Sequence, residues 1–293
     1  METLSRPAFT YVTRSYYLLT KPGIIMGNAI TATGAFLLAS RGQVDLWLFL
    51  AMFSGLSLII ASACVFNNFI DRELDAKMAR TRNRALVQGL IPPKKAILFG
   101  IFLGVLGSLI LGLFVNLLSL GFALFGFFVY VILYSFSKTR TIHGTLIGSM
   151  AGAVPPVVGY CAVSNQFDLC ASILFAMMTL WQMPHFFAIA IYRLKDYAAA
   201  SIPVLPIKKG MHITKVQMML YILAFIAATS MLTVFDYTGI GYLIVAAFLG
   251  IVWLGLCIKG FTCDSDARWA RKMFVFSLVI VMTLSFMIPF SVL

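Results

Sequence analysis

The segment Asn67-Asn68-Phe69-Ile70-Asp71-Arg72-Glu73-Leu74-Asp75 holds three of the ten acidic residues of the chain. Asn67, Asp71 and Asp75 are spaced i, i+4, i+8, which on a helix stacks an amide and two carboxylates on one face about 6 Å apart. Like charges at that pitch repel unless a cation stands between them. Oxygen donors in this number suit Mg²⁺, which takes a few carboxylates and fills its remaining positions with water and phosphate oxygens. Just downstream, Arg80-Thr81-Arg82-Asn83-Arg84 carries guanidinium groups able to clamp a diphosphate bidentately. A second segment, Tyr192-Arg193-Leu194-Lys195-Asp196-Tyr197, echoes the first in part. Taken alone it reads as a surface ion pair; paired with the first it offers Asp196 as a further metal ligand and Lys195 as a phosphate-binding cation. His185 stands inside an apolar run, one helical turn after Trp181. Ionisable residues in such runs default to function, against the plainer alternative of an interhelical hydrogen bond.

The elements that must position these residues are built for lipid. Hydrophobic residues make up 61% of the 293, charged residues only 11%, and the mean hydropathy is +0.97; water-soluble domains carry roughly 25% charged residues. Long unbroken apolar runs exclude an alternating outer-membrane barrel. At about 20 apolar residues per crossing, the chain predicts nine spans, at 22–40, 46–66, 96–115, 117–136, 144–163, 169–191, 215–235, 239–258 and 273–292. The fifth is interrupted by Pro155-Pro156, a break that membrane helices tolerate when neighbours satisfy the backbone. The Gly144-x₃-Gly148-x₃-Gly152 ladder within it reads as close helix packing. No cleavable signal or transit segment is recognisable before the first span.

The net charge of +12 would suggest nucleic acid in a soluble protein; here it reads as membrane orientation, and no nucleic-acid partner is expected. With the N-terminus inside, every Lys and Arg except Arg41 falls in an inner segment. The separation supports both the count of nine and a cytoplasmic N-terminal tail, residues 1–20. The two longest connections, 67–95 and 192–214, are then cytoplasmic, each following the second helix of a four-helix set, which is consistent with a parallel internal repeat around a cavity. The five cysteines form no CxxC pair and no metal-like spacing with the three histidines. His143 and His212 fall in connections, where a solvated histidine needs no special role.

The N-x-x-x-D-x-x-x-D box after the second span, with a second Asp-containing loop after the sixth, resembles the UbiA-type intramembrane prenyltransferases. Within that family the chain resembles the haem-farnesylating branch. The resemblance rests on N-N-F-I-D-R-E-L-D at 67–75, R-T-R-N-R at 80–84, W-Q-M-P-H-F at 181–186 and Y-R-L-K-D-Y at 192–197, with T-K-P-G at 20–23, H-G-T-L-I-G-S at 143–149 and I-P-V-L-P at 202–206. It runs from about Tyr17 to the C-terminus. Many relatives carry D-x-x-x-D in the second loop, where this chain has Tyr192 and Asp196.

The resemblance implies an all-α integral membrane protein, a single prenyltransferase domain over 1–293, with nine helices bundled around a lipid-accessible central cavity. It implies Mg²⁺ held by Asn67, Asp71, Asp75 and Asp196, and a diphosphate neutralised with help from Arg80, Arg82, Arg84 and Lys195. Asp71, Asp75, Asp196 and Lys195 would form the catalytic set. Tyr192, His185 and Trp181 would join Asn67 and the arginines in substrate binding, His185 by contacting haem or ligating its iron. The implied reaction moves a farnesyl group from farnesyl diphosphate to a vinyl group of haem B, with addition of water, giving haem O. The implied setting is the bacterial cytoplasmic (inner) membrane, and the further partners are membrane lipid and haem A synthase or terminal oxidase assembly factors. A prenyltransferase for a small aromatic acceptor is the nearest alternative, disfavoured by the Tyr192/Asp196 loop and W-Q-M-P-H. A transporter is the alternative from another class, disfavoured because the ionisable groups gather at one membrane face rather than at the midplane.

Overall fold

The computed structural model describes residues 9–291; Arg6 and the beginning of the 1–20 tail lie outside them. A short helix, α1 (Phe9–Leu19), precedes the membrane-spanning helices. Nine helices among the described residues are long and apolar enough to cross a bilayer. They are α2 (Pro22–Ser40), α3 (Leu46–Lys77), α4 (Pro93–Phe114), α5 (Leu117–Ser137), α6 (Gly144–Ser164) and α7 (Leu169–Tyr192). Two short helices, α8 (Leu194–Ala199) and α9 (Leu205–Lys208), follow. The bundle closes with α10 (Gly210–Val234), α11 (Ile240–Thr262) and α12 (Asp266–Phe290).

The nine expected spans are all present, but several ends differ. The second was expected to stop at 66 and runs to Lys77; the seventh begins at Gly210 and the ninth at Asp266, each several residues early. Apolarity marks the part of a helix in hydrocarbon, whereas hydrogen bonding carries the helix on into the polar layer. For α3 that extension matters, because it puts Asn67, Asp71 and Asp75 on one continuous helix.

Helix starts at one end of the bundle are capped by short polar side chains, which accept from otherwise unpaired amides. Asp45 accepts from Leu48 N at 3.0 Å, Asn116 from Ser119 N at 2.8 Å, and Asp168 from Ala171 N at 3.0 Å. α6 breaks at Ala153, just before Pro155-Pro156, as proline's missing N–H requires. Gln182 on α7 lies against this break, its Nε2 donating to Ser149 O at 3.1 Å.

Layering follows burial. In α6 and α7, 61% of the apolar window is buried inside the protein, against 22% in α4 and 28% in α11. Packing at the centre is backbone-close: a Cβ on Gly159 of α6 would strike the Ala32 backbone of α2, and one on Gly34 would strike Ser285 backbone of α12. Small residues permit such approaches in membrane bundles. The glycine ladder expected to be packing is so placed: Gly144 abuts Lys138, Gly148 the ring of Tyr134, and Gly152 the side chain of Gln182.

Candidate active site

A cavity of about 840 Å³ opens inside the bundle, with walls from α2, α3, α5, α6, α7 and α12. Its size falls in the upper part of the range of ligand pockets, ~300–1,000 Å³. The wall includes strongly exposed apolar residues, Met26 of α2 at 62% and Leu278 of α12 at 40%.

One end of the cavity meets the acidic face of α3. Asn67, Asp71 and Asp75 are all buried, and each has a cationic partner. Lys21, at the start of α2, donates from Nζ to Asn67 Oδ1 at 2.6 Å. Burial pulls the Lys21 ammonium down from its ordinary value to about 8. Lys138, at the end of α5, is ion-paired with Asp71 Oδ1. Arg84 donates from Nη1 to Asp75 Oδ2 at 2.6 Å. Asn67 Nδ2 in turn donates to Asp71 Oδ2 at 3.0 Å, so the first two rungs of the ladder expected from the i, i+4, i+8 spacing are joined along its face.

Facing it on α5 is a second series at the same spacing, Tyr130, Tyr134 and Lys138. Tyr130 OH donates to Asn67 Oδ1 at 3.2 Å, and its ring stacks on Tyr134 with centroids 5.6 Å apart. The stretch Val129–Tyr134 is π-helical, a distortion that recurs at functional sites. Cys64, one turn below Asn67, and Lys138, the partner of Asp71, both line the cavity, so the ladder stands just behind this end, the cavity's mouth.

The two long loops meet over this mouth. Met78 of the first packs with Ala200, Ile202 and Val204 of the second, and with Tyr197. Tyr197 lines the cavity and lies within the field of Arg80; burial pushes its hydroxyl pKa up. Asp196 is only half-buried, and Lys195, Arg80 and Arg82 are exposed. Among the described residues no three His, Cys, Asp or Glu side chains converge as a metal group. The structure therefore assembles Asn67, Asp71, Asp75 and Arg84, and does not bring Asp196 to the two ladder carboxylates in a three-carboxylate cluster.

Further along the cavity the lining is aromatic. His185, 8% exposed, and Trp181 stack with centroids 4.8 Å apart at 25°, and Phe274 of α12 lies 4.9 Å from the imidazole. Trp181 Nε1 donates to Ser277 O at 2.9 Å, and His185 Nδ1 lies 2.7 Å from Ser277 Oγ. Tyr192 is held against Phe274 at 5.7 Å. Lys21, Tyr130, Tyr134, Lys138 and Ser277 were missed in the sequence. A signal existed for three of them, since Tyr130, Tyr134 and Lys138 repeat the spacing of the acidic ladder.

The donor set is all oxygen at the ladder, one amide and two carboxylates along one helix face, with lysine and arginine at hand for a substrate's own anionic oxygens. Hard donors of this kind fit Mg²⁺ with a phosphate ligand. An apolar chamber with such a mouth defines a multi-pass membrane protein that handles a large apolar molecule with an anionic head. The chain belongs to the UbiA prenyltransferase family, which it matches over residues 28–279.

It is 57% identical over 276 residues to the protoheme IX farnesyltransferase of Protochlamydia amoebophila, covering 94% of this chain and 98% of that one. The protein of the same name from Edwardsiella ictaluri is 53% identical over 282 residues, 95% of each chain. Among solved structures, a digeranylgeranylglyceryl phosphate synthase superposes with a TM-score of 0.77 at 20% identity, over 95% of this chain and 97% of the other. A UbiA homologue from Archaeoglobus fulgidus, bound to GPP and Mg²⁺, gives 0.67 at 12% identity, over 94% and 99%. At those identities the likeness is one of fold.

Proposed function

We propose that the protein transfers the farnesyl group of farnesyl diphosphate to a vinyl group of haem B, with water completing the addition, to form haem O. The observation that carries this reading is a cavity with two unlike ends: a mouth of paired carboxylates and cations, and an aromatic chamber containing one histidine. Relatives more than half identical over nearly the whole chain bear the name of that activity. Farnesyl diphosphate and haem B are both largely apolar with anionic groups, and so match such a cavity.

In this reading Asn67, Asp71 and Asp75 would hold Mg²⁺, with Asp196 moving in from the second loop as a further ligand. The bound Mg²⁺ would neutralise the diphosphate and make it a better leaving group. A UbiA homologue with this fold binds Mg²⁺ together with GPP, which supports the use of Mg²⁺. Lys21, Lys138 and Arg84 stand within reach of the same oxygens, and would turn from the carboxylates to the incoming phosphates; Arg80, Arg82 and Lys195 would add charge from the loops. As the allylic C–O bond ionises, these cations stabilise the departing diphosphate, the kind of preorganised charge that supplies much of enzymatic rate enhancement. The apolar walls keep bulk water from the farnesyl cation until the vinyl carbon has attacked it. His185, Trp181 and Tyr192 would hold the porphyrin.

The whole chain acts as one domain, with the N-terminal tail and both long loops in the cytoplasm and the bundle in the bacterial inner membrane. Haem A synthase or terminal oxidase assembly factors are the partners this reading provides for the product. The test is direct: purified protein with haem B, farnesyl diphosphate and Mg²⁺ should yield haem carrying one farnesyl group and one water by mass spectrometry. Unmodified haem under those conditions would refute the proposal.

A further inference from the structure

His185 is held by a hydroxyl whose single proton is already committed. Ser277 Oγ lies 2.6 Å from Phe274 O, one turn back on α12, and 2.7 Å from His185 Nδ1. A carbonyl oxygen can only accept, and a serine hydroxyl has one proton to give. The proton therefore goes to Phe274 O, and toward the imidazole Ser277 presents only a lone pair. Nδ1 must then be the protonated ring nitrogen. In the neutral imidazole this leaves Nε2 bare, as an acceptor or a metal ligand.

The surroundings keep it so. Nε2 has no hydrogen-bond partner among the described residues and is not among the walled-off buried polar atoms, while the ring itself lines the cavity. The Trp181 stack and Phe274 fix the ring plane, and Trp181 is tied to the same serine through Ser277 O. A histidine present only for packing would have both nitrogens satisfied or sealed. This one has one nitrogen clamped and the other aimed into a chamber.

We propose that Ser277 is a positioning residue: it holds His185 in the Nδ1–H tautomer so that Nε2 donates its lone pair to the iron of the porphyrin substrate. This rests on the haem reading given above. The bond forms without loss of a proton, because Nε2 carries none. Metal-bound histidines commonly give their other N–H to an oxygen, and loss of that partner costs about 10- to 100-fold in metal affinity. An iron fixed at one point on α7 also fixes the porphyrin rim, and a displacement of about 1 Å at a reacting carbon can cost on the order of 100-fold in rate.

The experiment uses the full chain in detergent, titrated with ferric haem B and followed by absorbance and electron paramagnetic resonance. Farnesyl diphosphate binding and product mass are measured alongside. The unaltered protein should show a histidine-ligated haem spectrum, which His185→Ala abolishes. Ser277→Ala should weaken haem binding about 10-fold and alter the ligand-field bands, and Ser277→Thr, which keeps the hydroxyl, should restore both. Farnesyl diphosphate binding should be equal in all four proteins. A wild-type spectrum and affinity in Ser277→Ala would overturn the inference, and so would a loss that threonine fails to rescue and that extends to the diphosphate. If haem O forms normally while neither His185→Ala nor Ser277→Ala changes the spectrum, the inference falls and the haem reaction stands. If the unaltered protein neither binds haem nor farnesylates it, both fall.

Discussion

Asp71 and Lys138 form a pair whose side chains are only 12% and 9% exposed. Breaking a buried pair by removing one partner costs about 3–5 kcal/mol, because the survivor is left as an uncompensated charge. Lys138→Met alone should therefore lower Tm clearly. The double variant Asp71→Asn with Lys138→Met should regain most of that loss, while farnesyl transfer stays absent; thermal melts and product mass measured on the same preparations check both halves. A double variant that recovered turnover would mean that neither residue touches the diphosphate. Asp71→Ala or Asp75→Ala should abolish transfer, by ~10²–10³-fold or more if each contributes like a transition-state charge contact, with normal amounts of protein in the membrane. In these variants Mg²⁺ should also cease to raise the melting temperature in the presence of farnesyl diphosphate. An undiminished Mg²⁺-dependent rise would remove the ladder as the metal site. The acidic ladder was legible in the sequence because its spacing is local. The cations that answer it were not. Lys21 and Lys138 look like ordinary inner-face charges, and Asp71 meets Lys138 at a separation of 67 positions that no local pattern encodes. Ser277 was hidden for the same reason, as a common residue 92 positions from the histidine it serves.

At the scale of elements, hydropathy located every span and misjudged where α3 stops and where α10 and α12 start, since it senses the hydrocarbon and not the helix. Those overhangs carry function: the last turns of α3 hold Asp71 and Asp75. The short helices α8 and α9 and the π-helical stretch of α5 had no readable signature, because six apolar residues in π geometry look like any others. The double proline did announce the break in α6. Beside it Gln182 reaches the α6 backbone at the cavity wall, in room that Gly152 leaves by having no side chain. Gly159, on the half after the break, faces the α2 backbone so closely that a Cβ has nowhere to go. No flexible side chain is there to yield, so Gly159→Val should force α2 and α6 apart at about 1–3 kcal/mol, the usual range for overpacking. Lower melting temperature and weaker haem and diphosphate binding together are expected. Gly241→Ala, at a position with open space around it, should leave both unchanged. Equal melting temperatures for the Gly159→Val variant and the unaltered protein would show that α2 and α6 do not meet backbone to backbone at Gly159.

Across the whole molecule, three of the nine membrane-spanning helices stand apart from the chemistry. α4, α10 and α11 contribute nothing to the cavity wall, and they expose Leu98, Phe102, Leu220, Ile244 and Phe248, as helices facing lipid tails do. The polar ends of the bundle are unlike as well. Asp45, Asn116 and Asp168 at one end act as helix caps, while the carboxylates at the other end, Asp71 and Asp75, answer lysine and arginine in the mouth of the cavity. Among the described residues the mouth end holds every Lys and Arg except Arg41, and basic connections stay on the cytoplasmic side. The mouth should therefore open to the cytoplasm. Reporter fusions after residues 85 and 205, one in each long loop, should both read as cytoplasmic. Because nine is odd, a fusion at Leu293 should read as periplasmic. The two loops already pack on one another through Met78, Ile202 and Val204, so opposite readings for residues 85 and 205 are incompatible with the fold itself. A cytoplasmic reading at Leu293, with both loops also cytoplasmic, would mean that one of α10, α11 and α12 fails to cross. Periplasmic readings for both loops would invert the protein, place the phosphate-binding mouth away from the cytoplasm, and overturn the orientation argued from the basic residues.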